Sequence, residues 1–558
     1  MTATPIMTMV DDLDPERFSH LYEMYAFAFK QYADKPAFTA LGHTITFAQL
    51  EQLSNELCHY LVNSTSLKPG DRIAIQLPNV LQFPIAAIAA VKAGLVLVNT
   101  NPLYTEREME HQFIDSGVKG IVILSTFADK LEKVLAKTEI ETIIVTDVGD
   151  SLPTLQRLVV NAGARYLKKM IPSYHLPSAV KWTSILGKQS ISVQDNAIDS
   201  GTDVAIILYT GGTTGLSKGA MLTHKNLLAN MVQLRAVSKS VINDGQDSII
   251  GPLPLYHTYA FMMHCLAMLY AGNHSILVPN PRDIDGLVKI LRDTKPNGFL
   301  GINTLYLALC RHPKINEVDF SQLRFCAAGG MALTVSVAEE WTRITKCEVF
   351  EGYGLTECSP VVSVNLPGQV KLGTVGFAVP LTELQVVDED GHVLAQGEKG
   401  ELWIRGPQVM KGYWGQEQAT AESLTDDGWF KTGDFAQIDE QGYIRIVDRK
   451  KELIIVSGFN VYPSEVEEVV NAHPEIFESA AIGLPCEKTG EKVKLFVVRR
   501  SDKLSVDDVI KHCRTGLTAY KVPKEVEFVD ELPKSNIGKI LRRELREQEL
   551  AKLEKDDQ

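Results

Sequence analysis

The chain has 558 residues, too many for one hydrophobic core, so two or more domains of about 100–200 residues are expected. Hydrophobic residues make up 45%, charged residues 22%, and the net charge is −13. That is the composition of a soluble globular protein. It speaks against a nucleic-acid role, because backbone phosphates call for a basic face, but a local cationic pocket can still hold a small anionic substrate.

The opening MTATPIMTMVDDLDPERF carries no basic stretch and no apolar run before Asp11 and Asp12, so no secretion signal is expected in it. Cysteines at 58, 265, 310, 326, 347, 358, 486 and 513 show no Cys-x-x-Cys or zinc-like spacing. Reduced thiols in a cytoplasmic protein are the expectation.

The first half alternates helix and strand patterns. Thr46-x-x-Gln49 is a capping box opening a helix with Leu50, Leu53, Leu57 and Leu61 at helical spacing. Strands are predicted at 72–76, 95–98, 120–124 and 142–146, with helices at 80–93 and 128–136 and another opened by the capping box Thr105-x-x-Glu108. This rhythm gives doubly wound sheets with helices on both faces. From Ser248 to Pro281 there is no Asp, Glu, Lys or Arg. Pro252, Pro254, His257, His264, Gly272 and Asn273 interrupt the run, so only 260–271 reads as a helix. A spanning helix needs about 20 apolar residues; this one is a core helix or an apolar wall for a lipid-like ligand.

Beyond about residue 370 the pattern changes to short strands at 384–387, 401–404 and 443–447, with turns at 388–391 and 439–442, as in a small antiparallel barrel or sheet. A basic run, Arg449-Lys450-Lys451, precedes an α+β pattern: a helix capped by Ser464 and running to Asn471, strands at 480–483 and 494–498, and helices at 506–516 and 541–555. The predicted fold is α/β: a large N-terminal domain (1–447) of two doubly wound subdomains plus a barrel-like part at about 370–447, then a small mobile α+β domain (448–558).

The strongest chemical signal is Tyr209-Thr210-Gly211-Gly212-Thr213-Thr214-Gly215-Leu216-Ser217-Lys218-Gly219-Ala220. An apolar strand leads into it and a helix follows from about Thr223. The glycines allow close backbone approach, the hydroxyls donate, consecutive amides form an anion nest and Lys218 adds a cation. It lacks the Walker spacing Gly-x-x-x-x-Gly-Lys-Ser/Thr. Gly215–Gly219 formally matches Gly-x-Ser-x-Gly, but a nucleophile elbow puts its serine at the strand end, and Ser217 lies well past it. A plain surface loop is the remaining alternative.

Distant segments add to this. Glu357, in EGYGLTE, suits Mg²⁺, which takes few carboxylates and keeps waters; alone it reads as a helix cap. Tyr353 could stack on a base, and Gly329-Gly330 would admit an adenine edge or simply form a turn. Asp434, in DGWFKTGD, could accept ribose hydroxyls. Arg449 suits ribose or phosphate, and Lys539, in KSNIGK, could bridge a carboxylate and an α-phosphate. Singly, each is more ordinary as a turn acid or a solvated cation.

Together and in order, YTGGTTGLSKGAMLTH, YGLTE, DGWFKTGD, RIVDRKKELIIVSGFNVYPSEVE and PKSNIGK resemble the adenylate-forming superfamily of acyl-CoA synthetases, luciferases and peptide-synthetase adenylation domains, over nearly the whole chain. NTNPLYTEREMEHQ and the stretch from DGWFKTGD to RIVDRKK resemble its bacterial long-chain fatty-acid:CoA ligases. The resemblance implies attack of a carboxylate on the α-phosphate of Mg·ATP, giving acyl-AMP and pyrophosphate, and then displacement of AMP by CoA. It implies that Tyr209–Ala220 grips the triphosphate, mainly through Thr210, Thr213, Thr214 and Lys218. Gly330, Tyr353 and Thr356 would surround adenine and the α-phosphate, Glu357 would bind Mg²⁺, and Asp434 and Arg449 would hold the ribose. Lys539 would act in adenylation, Asp448 would be the hinge, and CoA would bind near Gly458 and Phe459. GGMAL at 329–333 departs from the smaller residue and proline that many relatives carry there. On the acyl side, His257, Tyr259 and Phe261 are expected to line the fatty-acid tunnel.

Four functions compete: the long-chain (or medium-chain) ligase; an acyl-AMP ligase serving a carrier protein or amine; a nucleotide- and lipid-binding protein without turnover; and a Ser217 hydrolase. Expected partners are long-chain fatty acid, ATP and CoA, with no nucleic acid, peripheral contact with the inner face of a membrane, and a homodimer, an assembly common among relatives.

Overall fold

A computed structural model describes residues 14–187, 203–210, 217–535 and 538–556. The chain divides into two compact units: residues 4–383 with 405–428, and residues 384–404 with 429–558.

The larger unit holds two mixed sheets. In the eight-stranded sheet, Val204–Thr210, Val96–Asn99, Arg72–Gln76, Val118–Leu124, Thr142–Thr146 and Val180–Lys181 lie side by side and parallel. Strands covered on both faces read as continuous apolar runs, and Val118–Leu124 and Thr142–Thr146 are buried almost throughout. The nine-stranded sheet has a parallel centre, Phe325–Ala328, Gly298–Gly301, Ser248–Gly251, His274–Leu277 and Pro36–Ala40, with antiparallel strands at both edges. Phe299, Tyr306 and Trp341 centre its core. Both expected capping boxes form, at Thr46 for helix Phe47–Asn63 and at Thr105 for helix Glu106–Ser116. Leu50, Leu57 and Leu61 are buried as their spacing requires.

Two local details were not anticipated. The uncharged helix runs from Thr258 to Tyr270, but its centre, Phe261–Ala267, is π-helical, a form associated with functional sites. Every side chain of that segment is buried. The helix expected from about Thr223 is present, but a strand precedes it. Lys218–Thr223 first returns as a strand antiparallel to Val204–Thr210, pairing Thr210 with Lys218, and Thr223 then caps helix His224–Ser238. Among the described residues no helix is long and apolar enough to cross a membrane.

The smaller unit combines a four-stranded sheet (Glu383–Val387, Lys399–Arg405, Phe430–Ile438, Ile444–Arg449) with a five-stranded one built on the long hairpin Ile476–Cys486 and Gly490–Arg499. Helices Pro463–Asn471, Val506–Gly516 and Arg542–Asp556 complete it. Ser464 does not cap the first of these. Pro463 occupies its first turn, and the carboxylate of Asp448 serves the helix start: Oδ2 accepts from Ser464 N at 2.8 Å and from Ser464 Oγ at 2.6 Å.

Candidate active site

In the larger unit the site is built around the hairpin. Gly211, Gly212, Thr213, Thr214, Gly215 and Leu216 lie outside the described residues, whereas both arms of the hairpin lie within them. Helix Glu106–Ser116, from the NTNPLYTEREMEHQ segment, braces the arms. The Tyr209 hydroxyl donates to Asp115 Oδ2 at 2.5 Å, and His111 Nε2 lies 3.1 Å from the carbonyl of Ser217. Burial, then the bond to Asp115, pushes the Tyr209 phenol up. Its hydroxyl therefore anchors the hairpin, and its ring backs Gly219, where a Cβ would stand 3.2 Å from it. Thr210 and Ser217 are half-buried at the inner ends of the arms. Ser217 leads into a strand, not a helix, which removes the nucleophile-elbow geometry.

Lys218 and Glu357 share a partner that sequence reasoning missed. Strand Gly412–Tyr413 adds to the edge of the hairpin, pairing Tyr413 with Ala220. The Lys218 ammonium lies over the Tyr413 ring, 5.1 Å from its centre, and the Tyr413 hydroxyl donates to Glu357 Oε1 at 2.9 Å. Burial, then the Glu357 charge, raises the Tyr413 phenol, which keeps it a donor. The signal available was KGYWG, an aromatic pair between glycines, but nothing in the sequence links it to a loop some two hundred residues earlier. The carboxylate of Glu357 sits half-buried on the turn Thr356–Cys358. A carboxylate oriented by the Tyr413 hydroxyl and half-buried, not sealed off, fits Mg²⁺.

The loop carrying Gly330 follows strand Phe325–Ala328. Gly330 has φ +81°, and a Cβ there would meet nothing within 4 Å, so its face is open to a ligand and its backbone conformation favours glycine. A Cβ on Gly329 would stand 3.5 Å from the Tyr259 ring. The Tyr259 hydroxyl is buried without a hydrogen-bond partner among the described residues. Beside this loop, strand Val349–Gly354 carries Tyr353, and Glu351 is buried with Oε1 accepting from Leu333 N at 2.8 Å. Glu351 was not anticipated; burial raises its carboxyl to about 7. His257 caps the start of the uncharged helix through Nδ1, and burial lowers it to about 4, so it is neutral. Phe261 packs edge-on against Phe83.

In the smaller unit three expected residues come together. Asp434 and Arg449 face each other across two antiparallel strands, with Arg449 Nε 2.8 Å from Asp434 Oδ1. Asp434 is buried while Arg449 is about one-third exposed. Lys539 lies in the field of this pair. Ser535 Oγ accepts from Lys539 N at 3.1 Å, Ser535 N donates to Lys539 O at 2.7 Å, and Gly538 has φ +78°. Burial, then the like charge of Arg449, lowers the Lys539 ammonium, while Glu452 and Asp434 oppose the shift. Neighbouring Lys534 is instead paired with Glu478 at 2.7 Å. Asp448 Oδ1 accepts from Arg449 N at 2.9 Å, so its carboxylate ties the strand end to helix Pro463–Asn471. Gly458 has φ +81°, and Phe459 is exposed and stacked on Tyr520 with ring centres 5.0 Å apart.

The described residues thus give, in the larger unit, a hairpin braced from behind with a carboxylate linked to its lysine through Tyr413 and, in the smaller unit, an Asp–Arg pair with a lysine in its field. The chain belongs to the AMP-binding enzyme family, whose model matches residues 26–414, and the family's C-terminal domain matches residues 465–539. It is 48% identical over 543 residues to a long-chain-fatty-acid–CoA ligase of Yersinia pestis, covering 97% of this chain and 96% of that protein. A ligase of the same name from Bacillus subtilis is 36% identical over 93% of this chain and 92% of its own length. Among solved structures, ATP-bound MatB from Rhodopseudomonas palustris superposes with a TM-score of 0.81 at 32% identity, covering 94% of this chain and 98% of that one. An anthranilate CoA ligase in complex with anthranoyl-AMP shares the fold at a TM-score of 0.84 and 23% identity, covering 97% of this chain and 100% of that one.

Proposed function

We propose that this chain is an AMP-forming long-chain fatty-acid:CoA ligase. What carries the reading is identity of 46–48% over 97% of the chain to ligases of that name, joined to a site of donors and cations with no Ser–His–acid set among the described residues. The fatty carboxylate is an anion at neutral pH and needs no activation. Its oxygen forms a bond to the α-phosphorus of ATP while the bond to pyrophosphate breaks. The CoA sulfur then bonds to the acyl carbon, AMP leaves, and the thiol proton passes to solvent. Catalysis is positioning and charge neutralisation.

The residues divide these tasks. Thr210, Thr213, Thr214 and Lys218 hold the triphosphate with the hairpin backbone. Gly330, Tyr353 and Thr356 take the adenine and α-phosphate, and Asp434 and Arg449 take the ribose. Glu357, oriented by Tyr413, would hold Mg²⁺, which when bound neutralises phosphate charge. Lys539 steers the carboxylate to phosphorus, and its lowered basicity suits a lysine that must shed water to do so. We place the hinge of the C-terminal part at Asp448 and the CoA contact near Gly458 and Phe459. His257, Tyr259 and Phe261 with the π-helical segment line the acyl site, where each buried CH₂ of a long chain contributes about 0.8 kcal/mol. A cytoplasmic location and a homodimer belong to the same reading; peripheral membrane contact joins it because the substrate partitions into lipid. ATP–pyrophosphate exchange measured across a chain-length series tests it. Exchange should rise with chain length and thioester formation should require CoA; absence of exchange with every fatty acid would reject it.

A further inference from the structure

Residues Thr154–Ala162 form an α-helix that runs into a π-helical turn over Gly163–Leu167. A surface helix normally turns its apolar stripe to the core. This one buries none of its residues. Leu155, Leu158 and Val159, spaced i, i+3 and i+4, are 77%, 60% and 66% exposed. Tyr166 and Leu167 in the next turn are also exposed, as is Met170 beyond it. The polar edge is what holds the helix down: Asn161 Oδ1 accepts from Gly149 N and its Nδ2 donates to Asp150 Oδ1, both at 2.8 Å. The inverted stripe is thus fixed outward by side-chain bonds, and exposed apolar patches of this kind mark interaction surfaces.

Charge identifies the partner. The chain carries 69 acidic residues, yet from Ser151 to Gly187 there is no Asp or Glu, while Arg157, Arg165, Lys168 and Lys169 interleave with the apolar residues. Arg165 lies 3.6 Å from Asp147; Lys168 and Lys169 are exposed. A two-fold contact with a second copy would set these cations against themselves. An anionic bilayer complements both features: leucines enter the acyl boundary, Tyr166 suits the headgroup level, and the cations meet lipid phosphates.

We propose that residues 154–170 are a docking surface for an anionic lipid bilayer, with the helix lying in the interface plane. The proposal rests on the reading of the chain as acting on a fatty acid, because it places the enzyme where that substrate dissolves.

Flotation of the full-length protein with phosphatidylcholine vesicles, with and without phosphatidylglycerol, tests this. Wild-type protein should float with the anionic vesicles and far less with the neutral ones. The triple variant Leu155→Glu, Leu158→Glu, Leu167→Glu should lose at least about tenfold in partitioning. Lys168→Glu with Lys169→Glu should lose about fivefold per cation removed. Turnover of a soluble fatty acid without vesicles and the thermal midpoint should stay at wild-type values, showing that the variants fold. Triple-variant flotation equal to wild type would overturn the assignment and leave the ligase reading standing. A wild-type protein that ignores anionic vesicles would overturn bilayer docking itself. A change of oligomeric state with unaltered flotation would make the patch a self-association surface and overturn the proposal. Loss of the ligase reading would show separately, as absence of fatty-acid-dependent pyrophosphate release.

Discussion

Replacing Glu351 by glutamine should stabilise the protein at neutral pH. The residue is 7% exposed and its carboxylate accepts a hydrogen bond from Leu333 N, yet burial dominates and raises it from 4.5 to about 7. A carboxyl raised on folding holds its proton more tightly in the folded state. It costs nothing below about pH 4.5; stability falls as pH rises from about 4.5 to about 7, where the unfolded group has ionised and the folded one has not, and levels off above that. The shift corresponds to about 3 kcal/mol once ionisation is complete. Glu351→Gln keeps an acceptor for Leu333 N and carries no charge, while its new amide N–H groups cost about 1 kcal/mol if unpaired. The net gain expected at pH 8 is therefore about 2 kcal/mol, shrinking to nothing or a small loss near pH 5. Urea unfolding of wild type and variant from pH 5 to 8 measures it. Other titrating groups cancel in the difference between the two curves. A difference independent of pH, or a variant less stable at pH 8, would refute the reasoning.

At the nucleotide site, Tyr413→Phe removes the hydroxyl from a charged acceptor and should lower kcat/KM for ATP by about 10–100-fold with little change in stability, measured by pyrophosphate exchange at varied ATP and Mg²⁺. Lys539→Ala should cut adenylation by about a hundredfold or more while leaving the fold intact, read by the same exchange assay and by circular dichroism. Ser217→Ala should keep activity within about tenfold, since one hydroxyl donor among several is lost; complete inactivation would revive the hydrolase alternative. Asp434→Ala should raise KM for ATP, because the ribose loses its acceptor and Arg449 its partner at 2.8 Å; steady-state kinetics at saturating fatty acid will show it.

Local signals in the chain determined a good deal. Strands Arg72–Gln76 and Thr142–Thr146, helix Val506–Gly516 and two capping boxes are where spacing and cap chemistry put them, because those preferences act within a few residues. The ordered motifs also picked out Glu357, Asp434, Arg449 and Lys539. What the sequence lacked was non-local. The return strand Lys218–Thr223 is set by pairing with Val204–Thr210, and the link from Lys218 through Tyr413 to Glu357 needs an edge strand contributed from far along the chain. Ser464 has the chemistry of a cap, but Pro463 and the Asp448 carboxylate already occupy that end of the helix. The raised Glu351 and the outward leucines of helix Thr154–Ala162 are statements about burial. Burial depends on what packs against a side chain, and only the tertiary structure decides that.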